Sequence, residues 1–162
     1  MPVSKAYPVA LVAISLLGAM SLRILLLPYP WSVLNPDWIA LTLIIWALTT
    51  HGRVGVATAW GAGLLTDLLT GRLLGQHALA YSVMIYLAVR WGKSLRFQSI
   101  PQQILSILGL LLIGQLLVLW TQRVEPEGPA RGLYWLASVG GALIWPLYLL
   151  FAQGLNRLHR TP

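Results

Sequence analysis

The 162-residue chain has no cysteine, only four acidic residues, and a charged fraction of 9%. Without cysteine there is no thiol nucleophile, no disulfide and no zinc–thiolate site. Soluble domains carry about 25% charged residues, so a water-soluble globular fold is excluded on composition. A chain that is 57% apolar or aromatic is also too hydrophobic to remain disordered. Motifs of chemistry are absent too. There is no glycine-rich phosphate loop, no His-Glu metal helix and no serine elbow. The three histidines, His51, His77 and His159, stand in or beside connections and lack carboxylate neighbours at ligand spacing in the sequence. No cofactor and no enzymatic activity are therefore expected.

What the chain has is hydrophobic length. A mean hydropathy of +0.74, spread along the chain, points to a polytopic membrane protein in one domain. Its net charge of +7 would suggest nucleic acid in a soluble protein, but the cations fall in connections between apolar runs, which is the pattern membrane insertion selects. Nucleic acid is accordingly not an expected partner. The apolar runs predict six transmembrane helices, at about 8–27, 37–50, 54–69, 74–91, 103–121 and 133–155. The first reads as a span and not as a cleaved signal. The second and third are short: their apolar stretches, at about 1.5 Å per residue, reach only about 20 and 24 Å against a hydrocarbon core of about 30 Å. They are either helices shielded by neighbours or a re-entrant pair. Asn35-Pro36-Asp37-Trp38 favours a true helix start, with Asn35 as cap, Pro36 at the first helical position and Asp37 complementing the dipole.

Sidedness follows from the cations. With the N-terminus inside, Lys5, Arg53, Arg90, Lys93, Arg96, Arg157 and Arg160 lie inside, and Arg23, Arg72, Arg123 and Arg131 outside. Seven against four predicts both termini on the cytoplasmic side, with Glu125 and Glu127 in an outer loop. Trp31, Trp38, Trp91, Trp120 and Trp135 mark segment ends as interfacial anchors. Basic residues near the C-terminus, Arg157, His159 and Arg160, suit anionic lipid.

Polar and small residues inside the apolar runs supply the candidate sites. Gly55, Ala59, Gly63, Asp67 and Gly71 recur every four residues and share one helical stripe. Such a stripe serves either packing within the chain or docking of a partner's helix. Asp67 is ionisable within a membrane segment and needs a partner. The topology puts it in the same leaflet as Arg23, so an Arg23–Asp67 ion pair is expected, the alternative being a carboxylate that faces water. Gln115 is expected to hydrogen-bond across helices. Pro146, following Gly140-Gly141, breaks the last helix, either structurally or to line a cavity.

The motifs Asn35-Pro36-Asp37-Trp38, Arg53-Val54-Gly55, the run Gly63 to Gly71, Leu74-Gly75-Gln76-His77-Ala78-Leu79, Gln102-Gln103 and Trp145-Pro146, in that order, resemble the rod shape-determining MreD family over about residues 8–158. The resemblance implies a six-helix subunit of the bacterial inner membrane. It would bind MreC and, through it, help to link MreB filaments to the RodA glycosyltransferase and the elongation transpeptidase. It also implies likeness in fold to the S-components of energy-coupling-factor transporters. On that footing the chain is read as a non-enzymatic scaffold or regulator of cell shape in contact with membrane lipid. The alternative reading is a small-molecule or lipid-binding subunit of S-component type, with Asp67, Gln115 and Pro146 lining the cavity.

Overall fold

A computed structural model describes residues 9–25, 28, 34–50, 53–121 and 134–158, without the side chains of 152, 153 and 155–158. Among the described residues the structure is entirely helical. Its helices are α1 (Val9–Ile24), α2 (Trp38–Thr49), α3 (Val56–Thr70), α4 (Gln76–Arg90), α5 (Gly92–Phe97), α6 (Ile100–Thr121) and α7 (Leu136–Leu158). The all-α class agrees with the sequence. Three boundaries move outward: α3 runs to Thr70, α6 begins at Ile100, since a proline in the first turn costs no hydrogen bond, and α7 continues past Asn156 to Leu158. The short α5 was not anticipated. Several residues used to assign sidedness, Lys5, Arg123, Arg131 and Arg160, lie outside the described residues, as do Trp31, His51, Glu125, Glu127 and His159.

The shortness of α2 has a physical reason. All of Ile39 to Leu48 is buried, so the helix is apolar on every side and is a core element. It packs against α1, α4 and α7, while α4 also packs on α3, α5 and α6, and α6 on α7. Helices α2, α4, α6 and α7 thus close a ring, with α1 and α3 applied outside it. At 12 residues α2 is about 18 Å long. One helix among the described residues, α6, is by itself long and apolar enough to cross a membrane; α1, α2 and the first part of α7 are shorter apolar helices. Large apolar side chains cover the outside, among them Ile14 and Leu17 of α1, Leu105 of α6, and Leu143, Leu147 and Leu150 of α7. Trp120 and Trp91 are exposed at helix ends.

Few polar bonds cross the helix contacts away from the cluster described below. The Trp46 indole N–H donates to Ser15 Oγ at 2.8 Å, fastening α2 to α1. The Gln115 amide donates to the Tyr134 carbonyl at 2.9 Å, and the Ser138 hydroxyl donates to Gln115 Oε1, which ties the start of α7 to α6. The Trp145 indole N–H reaches Gln103 Oε1 at 3.3 Å.

Helices α3 and α4 form a tight antiparallel hairpin. Gly71 ends α3 in the left-handed region at φ 63° and its N–H returns to the carbonyls of Asp67 and Leu68, the usual glycine termination of a helix. Gly75, at φ 102°, then precedes the first turn of α4. The hairpin closes at Gly63: a Cβ there would lie on the backbone of Ala78 and 2.6 Å from the carbonyl carbon of His77. Ala59 and Asp67, one turn on either side, are fully buried. The middle of the small-residue stripe is therefore occupied by α4 of the same chain. Gly55 and Gly71, at its ends, face open space.

Two neighbouring glycines test this reading. Gly61 has open space at its Cβ position, so Gly61→Ala is expected to leave thermal unfolding in detergent unchanged or slightly raised, as helix propensity dictates. Gly63→Ala drives a methyl into backbone and is expected to destabilise by about 1–3 kcal/mol, with lower membrane levels. Equal melting of the two variants would refute the close α3–α4 contact.

Candidate functional site

The ionisable residues inside the bundle gather at one end, and α2 sets the arrangement. Its first N–H groups have no intrahelical acceptor, and a side chain must supply one wherever they are turned from solvent. Asp37 fills the cap position, its Oδ1 accepting the Ala40 N–H at 3.1 Å. Asn35 does not cap the helix. Its Oδ1 accepts the Trp38 indole N–H at 2.7 Å instead, and Pro36 sits buried just before the helix, not at its first position. The difference follows from geometry: the cap is the residue whose side chain reaches the third amide beyond it, and here that is Asp37.

A carboxylate in this setting needs further partners. Arg23, in the last turn of α1, places Nη1 3.1 Å from Asp37 Oδ2, with 23% and 28% of the two side chains accessible. The Tyr81 hydroxyl from α4 lies 2.9 and 2.8 Å from the two Asp37 oxygens and shares its proton between them. Arg23 also extends Nη2 to His77 Nε2 at 3.0 Å. A guanidinium only donates, so His77 Nε2 is the acceptor and the imidazole carries its hydrogen on Nδ1. That hydrogen points at Asp67 Oδ1, 2.7 Å away. The Asp67 contact with His77 is thus a hydrogen bond to a neutral ring. Asp67 receives two more donors, the Gly75 N–H at 2.8 Å on Oδ2 and the His77 N–H at 3.1 Å on Oδ1. It is completely buried, and His77 nearly so.

The expected Arg23–Asp67 pair is therefore not direct. Arg23 pairs with Asp37, and His77 stands between Arg23 and Asp67. Three members of the cluster, Asp37, His77 and Tyr81, were not among the sequence candidates. His77 and Tyr81 are one turn apart on α4, with rings edge-on at 5.6 Å, so their spacing was a legible signal. His77 and Asp67, ten residues apart in sequence and so not at metal-ligand spacing, are brought together by the α3–α4 turn.

The remaining candidates lie apart. Gln115 is engaged with Tyr134 and Ser138 as described, about two turns of α7 ahead of the half-buried Pro146. A groove of about 410 Å³ opens elsewhere, beside α5 and α6, and neither Gln115 nor Pro146 lines it. Among the described residues no group of three or more His, Asp or Glu side chains converges as metal ligands would. In the polar cluster every carboxylate and ring nitrogen is already bonded to a neighbour. Chemically this is a fastener: it joins the end of α1, the start of α2, the end of α3 and the start of α4.

Comparison with known proteins gives one consistent result. A family model described as rod shape-determining protein MreD matches residues 4–155. A curated rod shape-determining protein MreD from Haemophilus influenzae is 30% identical over 135 residues, covering 79% of this chain and 82% of that protein. No solved structure matches the chain.

The cluster predicts a specific pattern of coupling. Arg23→Leu and Asp37→Asn are each expected to cost about 1–3 kcal/mol, below the full loss for a wholly buried pair because both side chains retain some exposure. In double-mutant cycles read by thermal unfolding, Arg23 and Asp37 should couple directly. Coupling of Arg23 to Asp67 should vanish when His77 is replaced by phenylalanine. Persistence of that coupling without the imidazole would overturn the assigned route.

Proposed function

The chain belongs to the MreD family of rod shape-determining proteins, and from that premise we propose that it is a non-enzymatic scaffold and regulatory subunit of the elongation machinery. In this reading it crosses the bacterial inner membrane six times with both termini in the cytoplasm. It binds MreC within the bilayer and so helps to couple MreB filaments to RodA and the elongation transpeptidase. Involvement in rod-shape determination and a membrane setting come with the family; the direct partner, the spans and the route to the synthases are the proposal.

One observation carries it. The polar groups of the cluster are consumed by one another, and what the helices present outward is apolar side chain. A protein of this build acts by helix packing, since association between membrane helices relies on close contact and not on the hydrophobic effect. The middle of the Gly55–Gly71 stripe is closed by α4, so the docking face is assigned to the outer apolar surfaces instead.

Affinity purification of a tagged copy from native membranes in mild detergent, with mass spectrometry of the proteins recovered, tests the reading. MreC is expected at a level comparable to the bait, with RodA and the transpeptidase in smaller amounts. Abundant folded bait without MreC would overturn it.

A further inference from the structure

The polar cluster balances its hydrogen bonds but not its charges. Asp37 and Asp67 bring two carboxylates, Arg23 brings one guanidinium, and His77, accepting from Arg23, is neutral. A second positive charge can come, within these groups, from the imidazole, whose ordinary titration falls near neutral pH. The closed geometry has no room for that proton. Arg23 Nη2 stands 3.0 Å from His77 Nε2, and a hydrogen added to Nε2 would set donor against donor and cation against cation.

The surroundings of the ring decide what a proton does there. Asp67 of α3 meets Nδ1 at 2.7 Å, Tyr81 lies edge-on one turn along α4, and Asp37, ahead of α2, adds a second negative charge. Tyr134, ahead of α7, lies within electrostatic reach of Arg23 and Asp37, and a phenol stays neutral near pH 7. Helix α6, which packs on α4, has no ionisable side chain; Arg72 in the α3–α4 turn is exposed, and the cations of α5 stand at the far end of α4. Burial and Arg23 thus oppose a charge on His77, and Asp67 and Asp37 favour it. Withdrawing Arg23 removes the nearest opposing charge and leaves the two carboxylates. Arg23 and Asp37 are partly accessible, which gives water a route to this end.

The bond at stake joins two pairs of helices. Helix α1 packs on α2, and α3 on α4; at this end Arg23 to His77 and Tyr81 to Asp37 tie one pair to the other. We propose that His77 is a proton-operated latch: uptake of one proton at Nε2 releases Arg23, frees the end of α1 from the α3–α4 hairpin and pairs the imidazolium with Asp67. Arg23 stays on Asp37, so α1 stays with α2. Because the open form binds the proton more tightly, acid shifts the population towards it. This regulation goes beyond the scaffold role and does not rest on it.

The chain has no cysteine of its own, so Leu22→Cys and Leu79→Cys, at exposed positions in the last turn of α1 and the first turn of α4, take spin labels without background. Electron–electron distance measurements on the full chain in mild detergent, between about pH 8 and about pH 4.5, bracket the ordinary imidazole value of about 6.5. A longer-distance population is expected to grow as pH falls. Its ratio to the shorter one should rise by no more than about tenfold per pH unit, the limit for one proton. Its midpoint should coincide with that of His77 read by ring-nitrogen NMR, where Nε2 changes from acceptor to N–H. His77→Gln, which can accept from Arg23 and donate to Asp67 but does not titrate, should hold the short distance throughout. The proposal is overturned by a ring still unprotonated at about pH 4.5, by hydrogen on Nε2 already at about pH 8, or by a ring that titrates with no change of distance. A His77→Gln protein that still opens with acid also overturns it. Should His77→Gln not fold, agreement or disagreement of the two midpoints in the parent decides.

Discussion

Much of this structure follows from a helix that starts at a partly enclosed end of the bundle. Helix α2 is apolar on all sides because it is core, and its leading N–H groups must still be satisfied. Asp37 meets that requirement, and in doing so places a partly enclosed carboxylate at the end of the bundle. The carboxylate then requires a cation and a donor, which are Arg23 and Tyr81. Arg23 has donors to spare, and one of them reaches His77. The imidazole, fixed as acceptor on that side, donates on the other to Asp67. Each group is the answer to the group before it, so a capping problem in one helix ends by fastening four.

The network closes only because glycine lets backbones approach. Gly63 brings α3 against the first turn of α4, and that proximity lets Asp67 take the Gly75 and His77 amides as well as the imidazole. On the other side of α2, a Cβ at Gly140 would meet the Leu34 carbonyl oxygen and one at Gly141 would meet Leu111 and Pro36. Helix α7 thus presses directly on the segment that delivers Asp37 to its cap position. Small residues here act at a distance from the charged ones, by setting where the main chain runs.

The sequence made the all-helical class plain, and most helices within a few residues, because apolar length and proline and glycine punctuation are local signals. Asp67 and Arg23 stood out for the same reason, as charges within apolar runs. Their true partners did not, because pairing depends on which helices touch. Asp37 read as a dipole complement beside the cap, and its role as hub needs α1 and α4 to be placed around it. The short α2 read as a shielded helix or half of a re-entrant pair, and what the sequence could not show is that Ile39 to Leu48 is buried on all sides. Helix α5, six residues with basic side chains, has too few apolar positions to register as a period.

The two ends of the molecule solve the problem of charge in a membrane differently. At the cluster end, opposite charges and a neutral ring are matched inside the bundle, so little polarity is left for an outside partner. At the α5 end the charged residues are basic, Arg90, Lys93 and Arg96, and Arg90 and Lys93 are exposed. Helix α4 joins the two ends, with His77 and Tyr81 in its first turns and Arg90 in its last, and it packs on α2, α3, α5 and α6. Because α4 is held at one end by bonds within the chain, a change of surroundings at the other end has a fixed body to act against.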